Sequence, residues 1–242
     1  MRPTQKIDYS AEDLRERLME VQGRIESAAT RAGRSASEVT LVAVSKTHTA
    51  ETLRRAIEAG ATDFGENRVQ EAENKIKEIG RKSARWHLIG HLQANKARRA
   101  TQLFDVLHSL DSAELARRLD RISMKEGREE FPVMIQVDLA GEATKAGASV
   151  RELPEIIETV KACARLRLTG LMTLPPFFDD AEQARPYFRR LRALRDEFQT
   201  RGAFGELAGE LSMGMSHDFE IAIEEGATIV RVGTAIFGER HS

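Results

Sequence analysis

Residues 41–48 read Leu-Val-Ala-Val-Ser-Lys-Thr-His: four apolar residues, then a hydroxyl, a lysine, a second hydroxyl and a histidine. A run of this kind, rich in Val and Leu with no polar alternation, suits a strand covered on both faces. Similar short runs recur along the chain at 39–44, 61–64, 86–89, 106–110, 133–137, 166–171, 208–212 and 228–232. Helical patterns fall between them near 50–59, 66–79, 94–103, 112–126, 150–163, 180–201 and 217–225. Eight strands and seven intervening helices leave one helix missing at the end. An amphipathic segment at 10–32 can fill that gap, with Ser10 as N-cap, Asp13 three residues on, and Leu14, Leu18, Val21, Ile25 and Ala28 as its apolar stripe. The expected fold is therefore α/β: a single (β/α)₈ TIM-type barrel with an extra N-terminal helix, spanning 1–242, with residues 1–8 a flexible start.

Composition narrows the function. Of 242 residues, 41% are hydrophobic and 31% charged, as in a soluble globular protein, and the formal net charge of −1 gives no long-range attraction to nucleic acid or anionic membrane. The short basic run Lys96, Arg98 and Arg99 lacks interleaved aromatics and reads as a solvated helix face. One cysteine, Cys163, rules out an intrachain disulfide or a cysteine-rich metal site; it reads as a small core residue. No apolar run approaches the ~20 residues of a spanning helix, and the start MRPTQKIDYS has no signal-peptide core, so the expected setting is cytoplasmic.

In a barrel of this type the chemistry sits where strands end and βα loops begin. Lys46 follows the first strand closely, so its stem starts inside the barrel mouth. There, lost hydration disfavours the ammonium form and frees an amine to attack an aldehyde. A lysine that snorkels to the rim and pairs with a carboxylate is the plainer alternative. After the seventh and eighth strands come LSMGMSHDFE (211–220) and RVGTAIFG (231–238). Gly214 and Gly233 allow close backbone approach to an anion. Ser212, Ser216 and Thr234 offer hydroxyls, and Ser216 precedes a helix start. Ordinary turn chemistry would explain either loop by itself; both loops at the strands that commonly bind phosphate point to a phosphate cradle opposite an aldehyde-reactive lysine. Arg231 shares a strand face with Ile229 and Gly233, and its partner is either a ligand atom or an internal carboxylate such as Glu66 or Glu239.

The strings LVAVSKT (41–47), FGENRVQE (64–71), WHLIGHLQANKAR (86–98), LHSLDS (107–112), GLMTLPP (170–176), RPYFRRLRALRDEF (185–198) and LSMGMSHDFEIAIEEGATIVRVGTAIFGE (211–239) resemble the pyridoxal phosphate homeostasis proteins. That family is similar to the N-terminal barrel of alanine racemase. The resemblance implies that pyridoxal 5'-phosphate is the cofactor and that Lys46 holds it as a Schiff base. It also implies that Arg231 faces the pyridine nitrogen, that Ser212, Gly214, Ser216, Gly233 and Thr234 hold the phosphate, and that Asn67 lies near the ring. Met172 and Met213, at the ends of strands six and seven, complete the expected cofactor-binding set. Thr49 departs from the family pattern, which has a proline there.

The racemases have a second, β-rich domain and a tyrosine on the far face of the cofactor. In this chain, which ends at Ser242, the only tyrosines are Tyr9 and Tyr187, neither at an expected strand end. The expectation is thus a monomeric, non-catalytic carrier that stores, protects or delivers the cofactor to apo-enzymes, with no metal, nucleic-acid or membrane partner. The alternative is an amino-acid racemase or related fold-type III enzyme using His91, His217 or Asp138 as its second acid or base; both histidines read more simply as helix-start or core residues.

Overall fold

The computed structural model describes residues 9–141 and 146–238; the expected flexible segment 1–8 and Glu239 lie outside them. Eight strands run in order: β1 (Thr40–Val44), β2 (Asp63–Glu66), β3 (Arg85–Leu88), β4 (Val106–Leu110), β5 (Phe131–Gln136), β6 (Leu166–Met172), β7 (Glu210–Met215) and β8 (Ile229–Val232). Each pairs in parallel with the next, and β8 pairs with β1, closing the barrel. The helices are α1 (Ala11–Arg31), α2 (Ala50–Glu58), α3 (Val69–Ile79), α4 (Ala97–Leu103), α5 (Ala113–Lys125), α6 (Leu153–Ala162), α7 (Arg185–Thr200), α8 (Phe219–Glu224) and α9 (Thr234–Phe237).

The N-terminal helix takes the place expected of it. Ser10 accepts from the Asp13 amide while the Asp13 carboxylate accepts from the Ser10 amide, a reciprocal capping box. Leu14, Leu18, Val21, Ile25 and Ala28 are buried. They pack α1 against α8, α9 and α2, closing the gap beside α9, a single turn after β8.

The main core lies between strands and helices. Inside the barrel the apolar side chains include a separate cluster of Val42, Val106, Met134 and Ile229. The rest of the interior includes His87, His108, Ser212 and Arg231, all buried.

Strand seven corrects the sequence reading, which ended it at 212. It continues through Met213 and Gly214 to Met215, and its pairing with β8 shifts register between Ser212 and Met215. Gly214 holds φ +92°, and a Cβ there would stand 2.6 Å from Ala222 Cβ and 2.9 Å from Phe219 Cα. The glycine expected in the loop after the strand is instead an irregularity within the strand, where α8 comes too close for a side chain.

Candidate functional site

At the C-terminal ends of the strands lies a cavity of about 690 Å³, lined among others by Lys46, Asn67, Ser216, Arg231, Gly233 and Thr234. That volume is in the range of small-molecule sites. Lys46 is half-buried and stands two residues past the end of β1, after Ser45. It sits in a tight turn: the His48 amide donates to the Ser45 carbonyl at 3.1 Å, and Thr47 holds φ +72°. For a β-branched residue this is strained backbone.

A buried charge cluster holds the turn. The Thr47 amide donates to the Glu71 carboxylate. Lys75 Nζ donates at 2.7 Å to Glu71 Oε1, to Glu66 Oε1 and to the Ser45 carbonyl, and Ser45 Oγ donates to Glu66 Oε1 at 2.6 Å. Burial pushes the Glu66 carboxyl above its ordinary value despite Lys75. Thr49 caps α2, its Oγ1 accepting from the Thr52 amide, so the turn meets the helix through a capping side chain.

Asn67 follows β2, and its Oδ1 is buried with no protein partner. Gly90 makes that position possible, since a Cβ there would lie 2.3 Å from the Asn67 carbonyl oxygen.

Ser216 bridges the two loops expected to hold phosphate. Its Oγ accepts from the amides of Gly233 (3.1 Å) and Ala235 (3.4 Å), leaving its own hydrogen free to donate. At the helix start after Ser216, Asp218 precedes α8 and its carboxylate accepts from the Met215 amide at 2.6 Å.

Arg231 is buried. Nη1 donates to Ser212 Oγ at 2.6 Å and Nη2 to the Thr173 carbonyl at 2.9 Å, and burial brings its pKa down to about 10. The alternative of a salt bridge from Arg231 to Glu66 is not what the structure has: Glu66 Oε1 meets Lys75 and Ser45 instead. The donor set fits pyridoxal phosphate: an amine at Lys46, a guanidinium with unused N–H groups, and a hydroxyl at Ser216 beside the Gly233 backbone, with the Asn67 amide on the same wall.

The sequence matches the family described as alanine racemase, N-terminal domain, over residues 18–241. The pyridoxal phosphate homeostasis protein of Aquifex aeolicus (strain VF5) is 43% identical over 225 residues, covering 93% of this chain and 97% of its own length. That of Escherichia coli (strain K12) is 40% identical over 241 residues, covering 94% and 97%. This chain belongs to the pyridoxal phosphate homeostasis protein family. The solved structure of PipY from Synechococcus elongatus PCC7942 with pyridoxal phosphate bound is 39% identical, with a TM-score of 0.80 over 93% of this chain and 100% of that one. An alanine racemase of Clostridium difficile 630 in complex with cycloserine shares the fold at 17% identity and TM-score 0.72, over 96% of this chain and 60% of the racemase.

In this member of the homeostasis family, four sequence-predicted residues stand away from the cavity wall. Ser212 is wholly buried and its hydroxyl is engaged by Arg231 and His108. Met213 packs in the outer core, Gly214 lies under α8, and Met172 is buried in β6. His91 and His217 are neither core nor helix-start residues: both line the cavity mouth, His91 beside Asp111 at 3.1 Å and His217 against Phe177. Asp138 lines it too, its carboxylate accepting from the Ala140 and Gly141 amides. Cys163 is half-buried at the end of α6, its thiol pushed up to about 11 by burial.

Sequence reasoning passed over Lys75, Asp63, His87 and His108. A histidine inside an otherwise apolar strand, as in Trp86-His87-Leu88 and Leu107-His108, was the available signal for two of them. Among the described residues no group of three or more His, Cys, Asp or Glu could hold a metal ion, and no helix is long and apolar enough to cross a membrane.

Proposed function

We propose that this chain binds pyridoxal 5'-phosphate as a Schiff base on Lys46 and serves cofactor homeostasis in the cytoplasm, storing, protecting or delivering it to apo-enzymes without turnover. The observation that carries this reading is that Lys46, Arg231 and the Ser216–Gly233–Thr234 group line one cavity. Relatives at about 40% identity bear the homeostasis name, and PipY was solved with the cofactor bound. When bound, pyridoxal phosphate supplies an aldehyde that condenses with amines and a ring that withdraws electrons from the adduct.

In this reading Lys46 presents its amine from a clamped turn. Ser216, Gly233 and Thr234 hold the phosphate. Arg231 offers its remaining N–H groups to the pyridine nitrogen, and Asn67, on the same cavity wall, lies beside the ring. A guanidinium at that nitrogen, charged at neutral pH, leaves it unprotonated, which favours holding the cofactor over using it.

The position of His91, His217 and Asp138 on the cavity wall favours a second reading, an amino-acid racemase or related enzyme with one of them as the second acid or base. The experiment that tests the proposal is borohydride reduction of the loaded protein followed by peptide mapping. The label is expected on the peptide containing Lys46. A main label on another lysine would overturn the assignment.

A further inference from the structure

Barrels of this kind are filled mainly by branched aliphatic side chains. Here a continuous file of hydrogen bonds crosses the interior instead. Asp63 Oδ1 lies 2.9 Å from His87 Nε2, His87 Nδ1 lies 2.8 Å from His108 Nε2, and His108 Nδ1 lies 2.9 Å from Ser212 Oγ. Ser212 Oγ in turn accepts from Arg231 Nη1 at 2.6 Å. Asp63 begins β2 and lines a smaller cavity of about 360 Å³ at the end of the barrel opposite the candidate site. Arg231 lines the candidate site itself.

The direction of the file follows from valence. A guanidinium only donates, so Ser212 Oγ accepts from Arg231. The Ser212 hydrogen then has one acceptor in the file, His108 Nδ1, which must carry no proton. A neutral His108 therefore has its hydrogen on Nε2 and gives it to His87 Nδ1. His87 likewise has its hydrogen on Nε2 and gives it to Asp63. Every bond points from cation to carboxylate. The opposite arrangement, with hydrogen on His108 Nδ1, would leave the Ser212 hydrogen buried without an acceptor.

The surroundings agree. Burial, with repulsion from His87 and Arg231, holds His108 neutral, well below the usual histidine range. Asp63 also accepts from Thr62 Oγ1 at 2.8 Å and lies 4.0 Å from Arg85, which keep it a carboxylate. Asp218 attracts Arg231 through space, but among the described residues no carboxylate comes within salt-bridge distance of it.

We infer that Asp63 is a positioning residue for Arg231: through His87, His108 and Ser212 it fixes the guanidinium that faces the cofactor cavity from the far end of the barrel. The occupant being pyridoxal phosphate rests on the proposed function; the file itself does not. The first measurement therefore uses cofactor-free protein. Histidine ¹⁵N spectra should find hydrogen on Nε2 and none on Nδ1 for both His87 and His108. Hydrogen on His108 Nδ1 would overturn the inference whatever the protein binds.

The second measurement uses loaded protein. Asp63→Asn removes the charge while keeping the shape, so the visible absorption band should move and cofactor retention fall roughly tenfold, the scale of one lost charge-assisted hydrogen bond. His87→Gln, which interrupts the file, should move the band in the same way if the first variant folds poorly. An unchanged band and unchanged retention in either folded variant would overturn the positioning role. Wild-type protein that takes up no cofactor would sink the proposed function, while the tautomer spectra would still decide the file.

Discussion

Lys75 Nζ stands 2.7 Å from Glu66 Oε1, with both side chains almost wholly removed from water, directly beneath the turn that carries Lys46. The pair is valuable less for its own attraction than for what its loss would leave behind. Removing the lysine would strand a buried Glu66 carboxylate and free the Glu71 side chain that holds the Thr47 amide. Lys75→Met is expected to cost about 3–5 kcal/mol of stability, the usual penalty for breaking a buried pair. Denaturant unfolding measures it, and a loss below about 1 kcal/mol would mean that the cluster is solvated in solution.

Arg231→Ala is expected to weaken cofactor retention and displace the absorption band of loaded protein, because it removes a charged donor lining the cavity. It also strips Ser212 and the Thr173 carbonyl of a partner, so some stability goes with it. Spectral titration separates the two effects. Unchanged affinity and band in a merely destabilised protein would give Arg231 a purely internal role.

His108 gives a pH dependence of definite sign. Its folded-state pKa is held well below the usual value by burial, while in the unfolded chain it titrates near the ordinary histidine range. Below that range the unfolded state binds a proton that the folded state refuses. Stability therefore falls as pH drops below about 6.5, with a limiting slope of about 1.4 kcal/mol per pH unit from this group. Stability curves of wild type and His108→Gln should differ in slope across that window and run parallel above it. Parallel curves throughout would mean that His108 charges freely in the fold.

Gly214→Ala is expected to destabilise the protein by at least about 2 kcal/mol, since the new methyl would meet α8 and the backbone there is left-handed. The same residue marks how far the sequence could be read. Alternating apolar runs and helical patterns made the barrel legible, and Ser10 with Asp13 marked the covering helix. Lys46 stood out because a lysine ends an apolar run. Gly214, by contrast, read as a residue of the loop after strand seven, because nothing local distinguishes a turn glycine from one pressed by the helix that follows it. The link from Asp63 to Arg231 was illegible for a related reason. Its members lie on β2, β3, β4, β7 and β8, and only closure of the barrel brings them together.

The protein is expected to be a monomer. Among the described residues the large exposed apolar side chains are few, Met19, Met124, Phe177 and Leu207, which gives little apolar surface for a stable dimer. Phe177, 78% exposed beside the cavity mouth, is the most prominent. Light scattering over a range of concentrations tests this. A dimer mass independent of concentration would contradict it.

Loaded protein should pass pyridoxal phosphate to an apo-enzyme and should not racemise amino acids. Racemisation needs a proton taken from one face of the substrate adduct and returned to the other. Lys46 can serve one face. For the other face, no tyrosine lines the cavity among the described residues: Tyr9 lies under Arg17, and Tyr187 stacks on Phe178 from within α7. Three other groups could compete for the role, and each has a partner. His91 is beside Asp111, His217 Nε2 is 3.2 Å from the Asp179 carbonyl, and Asp138 accepts two backbone amides. A positioned acid or base contributes about 10²–10⁴-fold, so without one only trace exchange is expected. The decisive measurement is incubation of loaded protein with alanine and serine in deuterium oxide. Inversion or α-deuteration at enzyme-like rates, lost in Lys46→Ala, would make the protein an enzyme. Were that activity also lost in His91→Gln, His217→Gln or Asp138→Asn, the sensitive variant would name the second acid or base.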